Sequence, residues 1–223
     1  MSWGQSPGHV PKGRLESRAV PLHCVAVSEH HDHDHGDGHD HGDEPGEDVR
    51  AEADARRRFA LGQIRQYGDP ALRLVAHEVV DFDDDLRRLV DRMTTLMHEA
   101  QGVGLAATQV GVLRRLFVFE PDDAGPRVIV NPVVVEQADE TATDDEGCLS
   151  LQGVRVPVER SVKVTLEGKD GNGEDVRWEL DEYGSRVVQH ELDHLDGVLI
   201  IDRTDDERRK EALATLRPRV VLG

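Results

Sequence analysis

The sequence predicts an α+β fold, with antiparallel and mixed β-sheets packed around a central helix, and two patterns carry this prediction. Apolar residues recur at spacings of three and four over residues 84–100, which predicts an N-terminal amphipathic helix capped by Asp83 or Asp84. Six short apolar runs rich in β-branched residues predict strands. They cover residues 116–119, 128–130, 133–135, 154–158, 162–166 and 176–180. Gly171-Asn172-Gly173 predicts a hairpin turn between the last two runs.

The central helix is predicted at the stretch QHELDHLDG, residues 189–197. On a helix, His190 and His194 lie one turn apart on the same face. Two imidazoles at this spacing can bind one metal ion, and Glu191 beside them is a candidate proton carrier. Gly197 stands where a left-handed residue commonly ends a helix. The pattern therefore predicts a metal-bearing helix of the HExxH kind.

The helix alone leaves the third metal ligand undetermined. In one class of metalloprotease the pattern continues as HExxHxxGxxH, but Ile200 occupies the position of the third histidine. The acids that follow, from Asp202 to Glu211, lie in a charged segment that favours solvent. A ligand from upstream is therefore expected, and Cys148 is the one cysteine in the region expected to fold.

Residues 1–60 are expected to form a disordered extension, followed by a single folded domain over residues 61–223. Residues 29–48 form a low-complexity tract with six of the chain's twelve histidines, and residues 29–54 carry eleven acids and one base. This segment lacks the apolar side chains that offset the loss of chain entropy on folding. Alternating imidazoles and carboxylates can bind divalent ions weakly, so the tract is either a metal reservoir that helps load a catalytic ion or a solvated tail.

The composition argues against several classes of partner. The 223 residues carry a formal net charge of -18, which argues against direct binding in a nucleic-acid groove or on an anionic membrane. The first 28 residues contain no apolar run long enough for a secretory signal or a membrane span. Two cysteines cannot form a disulfide framework, which favours a reducing compartment. We therefore expect a cytoplasmic protein, and a monomer.

The stretch GVGLAATQVG at residues 102–111 follows the predicted amphipathic helix. Glycine at alternate positions lets the backbone approach another backbone or a ligand closely. The stretch is either a tight loop, or part of a site in which the side-chain amide of Gln109 donates to an oxygen that gains charge during a reaction.

Three stretches together resemble the peptide deformylase family. They are GVGLAATQ at residues 102–109, EGCLS at residues 146–150 and QHELDH at residues 189–194. Each is moderately specific alone, but their order and spacing together are highly specific, and the similarity spans residues 62–202. The resemblance implies that residues 61–223 form one catalytic domain of this kind.

The resemblance implies a complete set of catalytic roles. The family holds one divalent metal through a cysteine and two histidines, which fall here on Cys148, His190 and His194. Fe(II) is the usual ion in vivo, and zinc, nickel or cobalt can replace it. The family's reaction removes the formyl group from the N-terminal methionine of new polypeptides and releases formate. Glu191 then transfers protons, and the amide of Gln109 and the backbone N–H of Leu149 stabilise the developing negative charge.

The resemblance also implies how the substrate, an N-formylmethionyl nascent peptide, is bound. Backbone around Gly104 and Gly147 pairs with the substrate as an added strand, and Val103 and Glu146 next to them belong to the same substrate-binding set. Val187, together with the neighbouring helical turn, is expected to line an apolar pocket for the methionine side chain.

The sequence departs from the family pattern at two positions. Thr108 stands where the family usually has proline, and Gln152 stands where the pattern EGCLSxP has proline. Both residues lie next to the expected catalytic positions and leave the metal ligands and the base intact. They are expected to loosen the loops and to alter substrate or inhibitor affinity.

The C-terminal stretch at residues 205–217 predicts a short helix with acids first and bases later. It is either a solvated terminal helix or, as in bacterial relatives, an element that docks on the ribosome. The basic residues that make docking feasible are Arg208, Arg209, Lys210, Arg217 and Arg219.

Two other functions stay open at this stage. A metalloendopeptidase using the same HExxH helix would cleave internal peptide bonds, and formyl-blocked substrates would be inert. A non-enzymatic metal-handling protein would work through its histidine tract, and replacing Glu191 would then be harmless.

Overall fold

The computed structural model describes residues 47–217 and shows four α-helices and seven β-strands in this part of the chain. The helices are α1 (Glu47–Leu61), α2 (Asp84–Glu99), α3 (Glu182–Leu195) and α4 (Asp206–Leu216). The strands are β1 (Gly104–Ala106), β2 (Leu116–Phe119), β3 (Arg127–Gln137), β4 (Thr141–Gly147), β5 (Arg155–Ser161), β6 (Lys163–Lys169) and β7 (Asp175–Asp181). Short 3-10 helices cover Pro70–Arg73, Ala107–Val110 and Ile200–Asp202.

The strands form two sheets, and the α+β prediction is confirmed. The larger sheet has the order β1-β2-β3-β6-β7, and β4 pairs with β5 in a separate two-stranded sheet. All these pairs are antiparallel. The prediction of mixed sheets is therefore too broad, since parallel pairing within residues 47–217 is confined to a bridge between His77 and Arg114.

Most strands lie where apolar runs predict them, and the exceptions have physical causes. The runs at 128–130 and 133–135 are one strand, β3, whose register with β6 shifts between Val130 and Val133. Asn131 in this shift has φ +54, a conformation that asparagine tolerates, and Pro132 has no N–H to donate to a partner strand. The sequence TATDDEG of β4 carries almost no apolar side chain, so apolar patterning cannot detect it.

The helix ends follow the predicted capping residues. Asp83 caps α2, with its side chain accepting from the Leu86 N–H at 2.9 Å, and α2 ends one residue before the predicted limit. Gly197 follows α3 with φ +72. A Cβ atom there would lie 2.7 Å from the carbonyl oxygen of Arg73, so both the backbone angle and the available space require glycine.

The prediction that disorder extends to residue 60 is wrong for residues 47–60, which form most of α1. Ala60 and Leu61 are buried in a cluster with Met93 and Met97 of α2, and the Arg57 Nε donates to the carbonyl oxygen of Ala100 at 3.4 Å. The helix is rich in charge, and its buried apolar residues come only at its end, so its docking surface carries little periodic signal. Residues 1–46, with most of the histidine tract, lie outside the described residues.

Helix α3 packs against strands of both sheets, namely β1, β2, β6 and β7 of the larger sheet and β5 of the smaller one. Its apolar side contributes Val187, Val188 and Leu195 to a core cluster that includes Phe117 and Phe119. In the described part of the chain, no helix is long and apolar enough to cross a membrane.

Candidate active site

Three buried side chains from two parts of the fold meet beside α3. Cys148 directly follows β4, and His190 and His194 lie one turn apart on α3. The cysteine sulfur lies 3.2 Å from the Nε2 atom of His194, and one ligand atom from each of the three residues lies within 4.8 Å of the others. The small sheet and the helix thus bring together a thiol and two imidazoles that are separated by more than 40 residues in the chain.

This cluster has the composition and spacing of a catalytic metal site. In a tetrahedral zinc site with bonds of about 2.3 Å to sulfur and 2.0–2.1 Å to nitrogen, the sulfur and nitrogen ligands lie roughly 3.5 Å apart. Three protein ligands leave one coordination position open for a reactant. Beside the cluster, the Oε2 atom of Glu191 is buried and has no hydrogen-bond partner within residues 47–217. The residues present therefore fit a bound divalent cation with an open position near a carboxylate.

Glu146 holds one of the histidines in place. Its carboxylate accepts a hydrogen bond from the Nδ1 of His190 at 3.0 Å and further bonds from Arg160 at 2.9 Å and Arg186 at 2.8 Å. Arg160 also donates to Asp193 at 2.6 Å. The side chain of Glu146 is therefore fully buried in an ion-pair network. A substrate can reach only the backbone of this residue, which belongs to the predicted substrate-binding set. A carboxylate on Nδ1 leaves the Nε2 of His190 to face a metal.

The electrostatics around His190 favour a positive charge. Burial alone raises the pKa of Glu146, but hydrogen bonds from His190 and Arg160 outweigh burial and hold that pKa well below its usual range. Burial lowers the pKa of His190, but contacts with Cys148 and Glu146 outweigh it and raise the pKa well above the usual value. Burial, then the charges of His190 and Arg160, lower the pKa of His194. The surroundings of His190 therefore stabilise a cation.

Glu191 has the properties of a proton carrier. Burial is the largest cause that raises its pKa, to about 7, so the carboxylate can gain and lose a proton near neutral pH. Its carboxylate packs against the backbone of Gly104, where a Cβ atom would lie 2.8 Å from the Cδ of Glu191. The glycine in β1 thus leaves the space that the carboxylate fills.

Gln109 points its amide group towards the sulfur of the cluster. Its Oε1 accepts from the Ala106 N–H at 2.8 Å, which leaves the Nε2 group as the donor. That nitrogen donates to the Ser150 hydroxyl at 3.1 Å and lies 3.7 Å from the Cys148 sulfur. The tight-loop interpretation of residues 102–111 is wrong here, because residues 104–106 form β1 and the four residues from Ala107 to Val110 form a buried 3-10 helix.

Leu149 and Thr108 connect the segment 102–110 to the rest of the site. The Leu149 side chain lies over Gly102, where a Cβ atom would come within 2.8 Å of its Cδ1. The hydroxyl of Thr108 donates to the carbonyl oxygen of His194 at 3.1 Å, and Thr108 is fully buried. At this position a proline could not make the hydroxyl bond to the end of α3.

The residues predicted to bind substrate lie around the cluster. Gly104 is in β1 at one edge of the larger sheet, and Gly147 is the last residue of β4 at the edge of the smaller sheet, opposite Arg155. Val103 precedes β1 and packs against the core cluster that includes Phe117 and Phe119. Val187 is 1% exposed and lies one turn before the helical residues of the cluster.

Three buried residues that the sequence analysis did not single out hold the residues of the cluster in place through hydrogen bonds. Arg160 and Arg186 bind Glu146, and the hydroxyl of Ser150 holds Gln109. The sequence does contain an indication that Arg160 is buried. In β5 every second side chain faces the interior, and Arg160 follows Val156 and Val158 at this spacing. A charged residue in line with buried valines indicates a buried partner of opposite charge.

The comparison with protein-family models decides the relationship. The model described as polypeptide deformylase matches residues 61–210, which cover most of the described chain. The chain belongs to the polypeptide deformylase family. The resemblance inferred from residues 62–202 is therefore confirmed.

Proteins named as peptide deformylases match this family member in sequence and in structure. Peptide deformylase 1 of Corynebacterium glutamicum is 45% identical over 162 residues, which are 71% of this chain and 96% of that protein. The crystal structure of the Legionella pneumophila deformylase has a TM-score of 0.66 at 36% identity and covers 69% of this chain and 91% of that one. The Synechococcus elongatus deformylase, solved in complex with actinonin, has a TM-score of 0.66 at 39% identity and covers 68% of this chain and 85% of that one.

Membership of the deformylase family makes this protein an enzyme. It is a metal-dependent hydrolase that removes formyl groups from new polypeptides. The metalloendopeptidase alternative is not favoured, because the matching family and its relatives are deformylases. The non-enzymatic alternative is wrong for the same reason.

Proposed function

We propose that Cys148, His190 and His194 hold one divalent cation, Fe(II) in vivo, and that this centre removes the formyl group from an N-terminal formylmethionine and releases formate. Zinc, nickel or cobalt can take the same place, because thiolate and imidazole accept all of these ions. The observation that carries the proposal is the meeting of one sulfur and two imidazoles within 4.8 Å beside the buried Glu191.

A bound cation supplies a Lewis acid that lowers the pKa of water and polarises the formyl carbonyl. Glu191 takes the proton from the attacking water and later delivers it to the departing amine nitrogen. Its pKa of about 7 suits both halves of this task, since neither protonation state is strongly favoured at neutral pH. The space left by Gly104 keeps the carboxylate close to the cluster.

Gln109 and Leu149 stabilise the oxygen that becomes negative when water attacks the formyl carbon. The Oε1 of Gln109 accepts from the Ala106 N–H, so its Nε2, which donates to the Ser150 hydroxyl, is the group that turns to the oxyanion. The backbone N–H of Leu149 supplies the second donor. Loss of one such donor typically costs about 2.7–4 kcal/mol in the barrier. One donor lies in the 3-10 helix Ala107–Val110, and the other directly follows Cys148 in the chain.

The peptide substrate binds between two strand edges. Backbone at Val103 and Gly104 on one side, and at Glu146 and Gly147 on the other, pairs with the peptide as an added strand. The Val187 turn of α3 forms a wall of the apolar pocket that receives methionine. The binding of actinonin by the Synechococcus relative supports a ligand site in this fold.

We also propose that the protein is a cytoplasmic monomer. Its catalytic domain covers residues 61–223, and α1 packs against the start of this domain.

Helix α4 is the proposed contact with the ribosome. Lys210 on this helix and Arg217 directly after it are exposed. Arg208 pairs with Glu211, and Arg209 pairs with Asp202. Arg219 lies outside the described residues. Co-sedimentation with ribosomes that is lost on truncation after Asp202 would support this contact, and equal sedimentation would overturn it.

One experiment tests the catalytic proposal against its rivals. Anaerobically purified protein should release formate from formyl-Met-Ala-Ser, and Glu191→Ala should lose nearly all turnover while it retains the metal. An endopeptidase would instead cleave internal bonds of unblocked peptides and leave the formyl peptide intact. Full turnover by the Glu191→Ala variant would refute the proposed role of the carboxylate.

A further inference from the structure

Residues 65–67 connect the two segments that carry the proposed oxyanion donors, namely the 3-10 helix with Gln109 and the loop after Cys148. The Arg65 N–H donates to the carbonyl oxygen of Gln109 at 2.7 Å, and the Tyr67 N–H donates to that of Ser150 at 2.8 Å. Between these two backbone bonds, the Nε2 of Gln66 donates to the carbonyl oxygen of Leu149 at 3.2 Å. The side chain of Gln66 thus binds the peptide unit immediately after the proposed oxyanion donor.

That peptide unit also contacts the sulfur of Cys148. Its carbonyl belongs to Leu149 and its N–H to Ser150, and this N–H donates to the Cys148 sulfur at 3.4 Å. A hydrogen bond to the carbonyl end of a peptide polarises it and strengthens the bond that its N–H donates. Hydrogen bonds to a ligand sulfur in turn tune the metal that it holds.

Gln152 fixes which way the Gln66 amide points. The Nε2 of Gln152 donates to the Oε1 of Gln66 at 2.9 Å, so the Gln66 oxygen is occupied as an acceptor and its nitrogen is directed to Leu149. Gln152 is exposed and Gln66 is half-buried, so a chain of hydrogen bonds runs from the surface to the sulfur. This is the position at which the family pattern has proline, whose side chain has no donor.

We propose that Gln66 is a positioning residue that orients the 149–150 peptide so that its N–H binds the Cys148 sulfur, and that Gln152 fixes the orientation of the Gln66 amide. Because the inference rests on the proposed ligand role of Cys148, the test establishes that role first. The Gln66 amide does not touch the reacting atoms; it acts through the peptide that it holds.

The test uses the full-length protein loaded with Co(II), whose thiolate bond gives a charge-transfer absorption band. Replacing Gln66 with leucine removes the bond to the carbonyl, weakens the N–H bond to sulfur and leaves the sulfur more electron-rich. The band should therefore move to lower energy. Because the loop that holds the Cys148 sulfur is also less well fixed, Co(II) affinity should fall by about tenfold, as expected for loss of an outer-shell partner, and Co(II) should pass to a chelator faster. Gln152→Leu should shift both readouts in the same direction by less, and Gln152→Lys should restore them because it retains a donor.

Gln63→Leu is the matched control, because Gln63 lies in the same segment and its side chain accepts a hydrogen bond from the exposed side of Arg92 at 3.4 Å, away from the cluster. It should leave the band and the release rate unchanged. If Gln66→Leu fails to fold, as judged by circular dichroism, Gln66→Glu keeps the side-chain length without the donor and should give the same shift.

The outcomes separate the two proposals. A wild-type band that is also present in Cys148→Ala would refute the proposed ligand and with it this inference. A band that requires Cys148 but is identical in wild type, Gln66→Leu and Gln66→Glu, with equal release rates, would retain the ligand and overturn the role of Gln66.

Discussion

Gly104 and Glu191 are in direct contact, with the glycine backbone against the face of the carboxylate. A Cβ atom on Gly104 would lie 2.8 Å from the Cδ atom of Glu191 and closer still to Oε1. No rotamer change confined to position 104 can relieve this overlap, because a Cβ position is fixed by the backbone. The space that the Glu191 carboxylate fills therefore requires glycine at position 104, the second glycine of the GVGLAATQ stretch.

Replacing Gly104 with alanine should displace the carboxylate and lower kcat. Positioned acid–base groups typically contribute 10²–10⁴-fold, so we expect a loss of about 10²-fold in formate release with metal content unchanged. Gly171→Ala is the control, since a Cβ atom there meets only Val128 at an ordinary 3.8 Å. An alanine variant that keeps the wild-type kcat would show that the carboxylate does not need this space.

Removal of the metal should reduce stability as well as activity. A cation that binds only the folded state stabilises it by about 2.7 kcal/mol when its free concentration is 100 times Kd. Chelator-treated protein should therefore unfold at lower denaturant concentration, and added Co(II) should restore its stability and its activity. Co(II) should change neither the stability nor the activity of the Cys148→Ala variant. Cys24→Ser is the matched thiol control and should respond like wild type; a Cys148→Ala variant that is equally stabilised would contradict the proposed ligand set.

The sequence predicts the residues of the site better than it predicts the supporting residues, whose side chains hydrogen-bond to the site from distant parts of the chain. His190, Glu191 and His194 are adjacent on one helix, so their relation follows from helical geometry alone. Cys148 reaches them only because β4 ends beside α3, and β4 has too few apolar residues to be predicted. Its link to the helix therefore came from the family resemblance.

The supports are side chains whose partners lie far away in the chain. The Gln66 bond to Leu149 spans 83 residues, and the Thr108 bond to His194 spans 86. Glutamine and threonine are ordinary surface residues in a sequence, so nothing local distinguishes one that bridges two loops. Similarly, α1 shows its burial only through its last two residues, Ala60 and Leu61.

The cap of α2 provides a pH-dependent test of stability. The hydrogen bond from the Leu86 N–H is the largest cause that lowers the pKa of Asp83. A carboxyl whose pKa is lower in the folded state contributes stability above its unfolded pKa of about 3.9, and this contribution is lost as pH falls through the folded pKa. Asp83→Asn keeps the cap without the titration, so the free energy of unfolding should fall less between pH 5 and pH 3 than in wild type. Parallel slopes in urea titrations at these pH values would contradict the assignment.

Arg160 should be required for the stability of the cluster because it joins two buried carboxylates, Glu146 and Asp193. Arg160→Met removes the positive charge and leaves both buried carboxylates with fewer hydrogen-bond partners, where water cannot replace them. Breaking a buried pair in this way typically costs about 3–5 kcal/mol in the free energy of unfolding. Glu146 would also hold the Nδ1 of His190 less firmly, so Co(II) affinity should fall by about 10–100-fold.

The control for Arg160→Met is Arg155→Met on the same strand, whose side chain is exposed. A surface change of this kind usually alters stability by about 0.5 kcal/mol or less. Urea unfolding and Co(II) competition with a chelator measure the two effects separately. If the ion pair only stabilises the fold, Arg160→Met will lower stability with unchanged Co(II) affinity. A fall in both, with Arg155→Met unaffected, would support the carboxylate of Glu146 as the group through which Arg160 acts on His190, the proposed metal ligand.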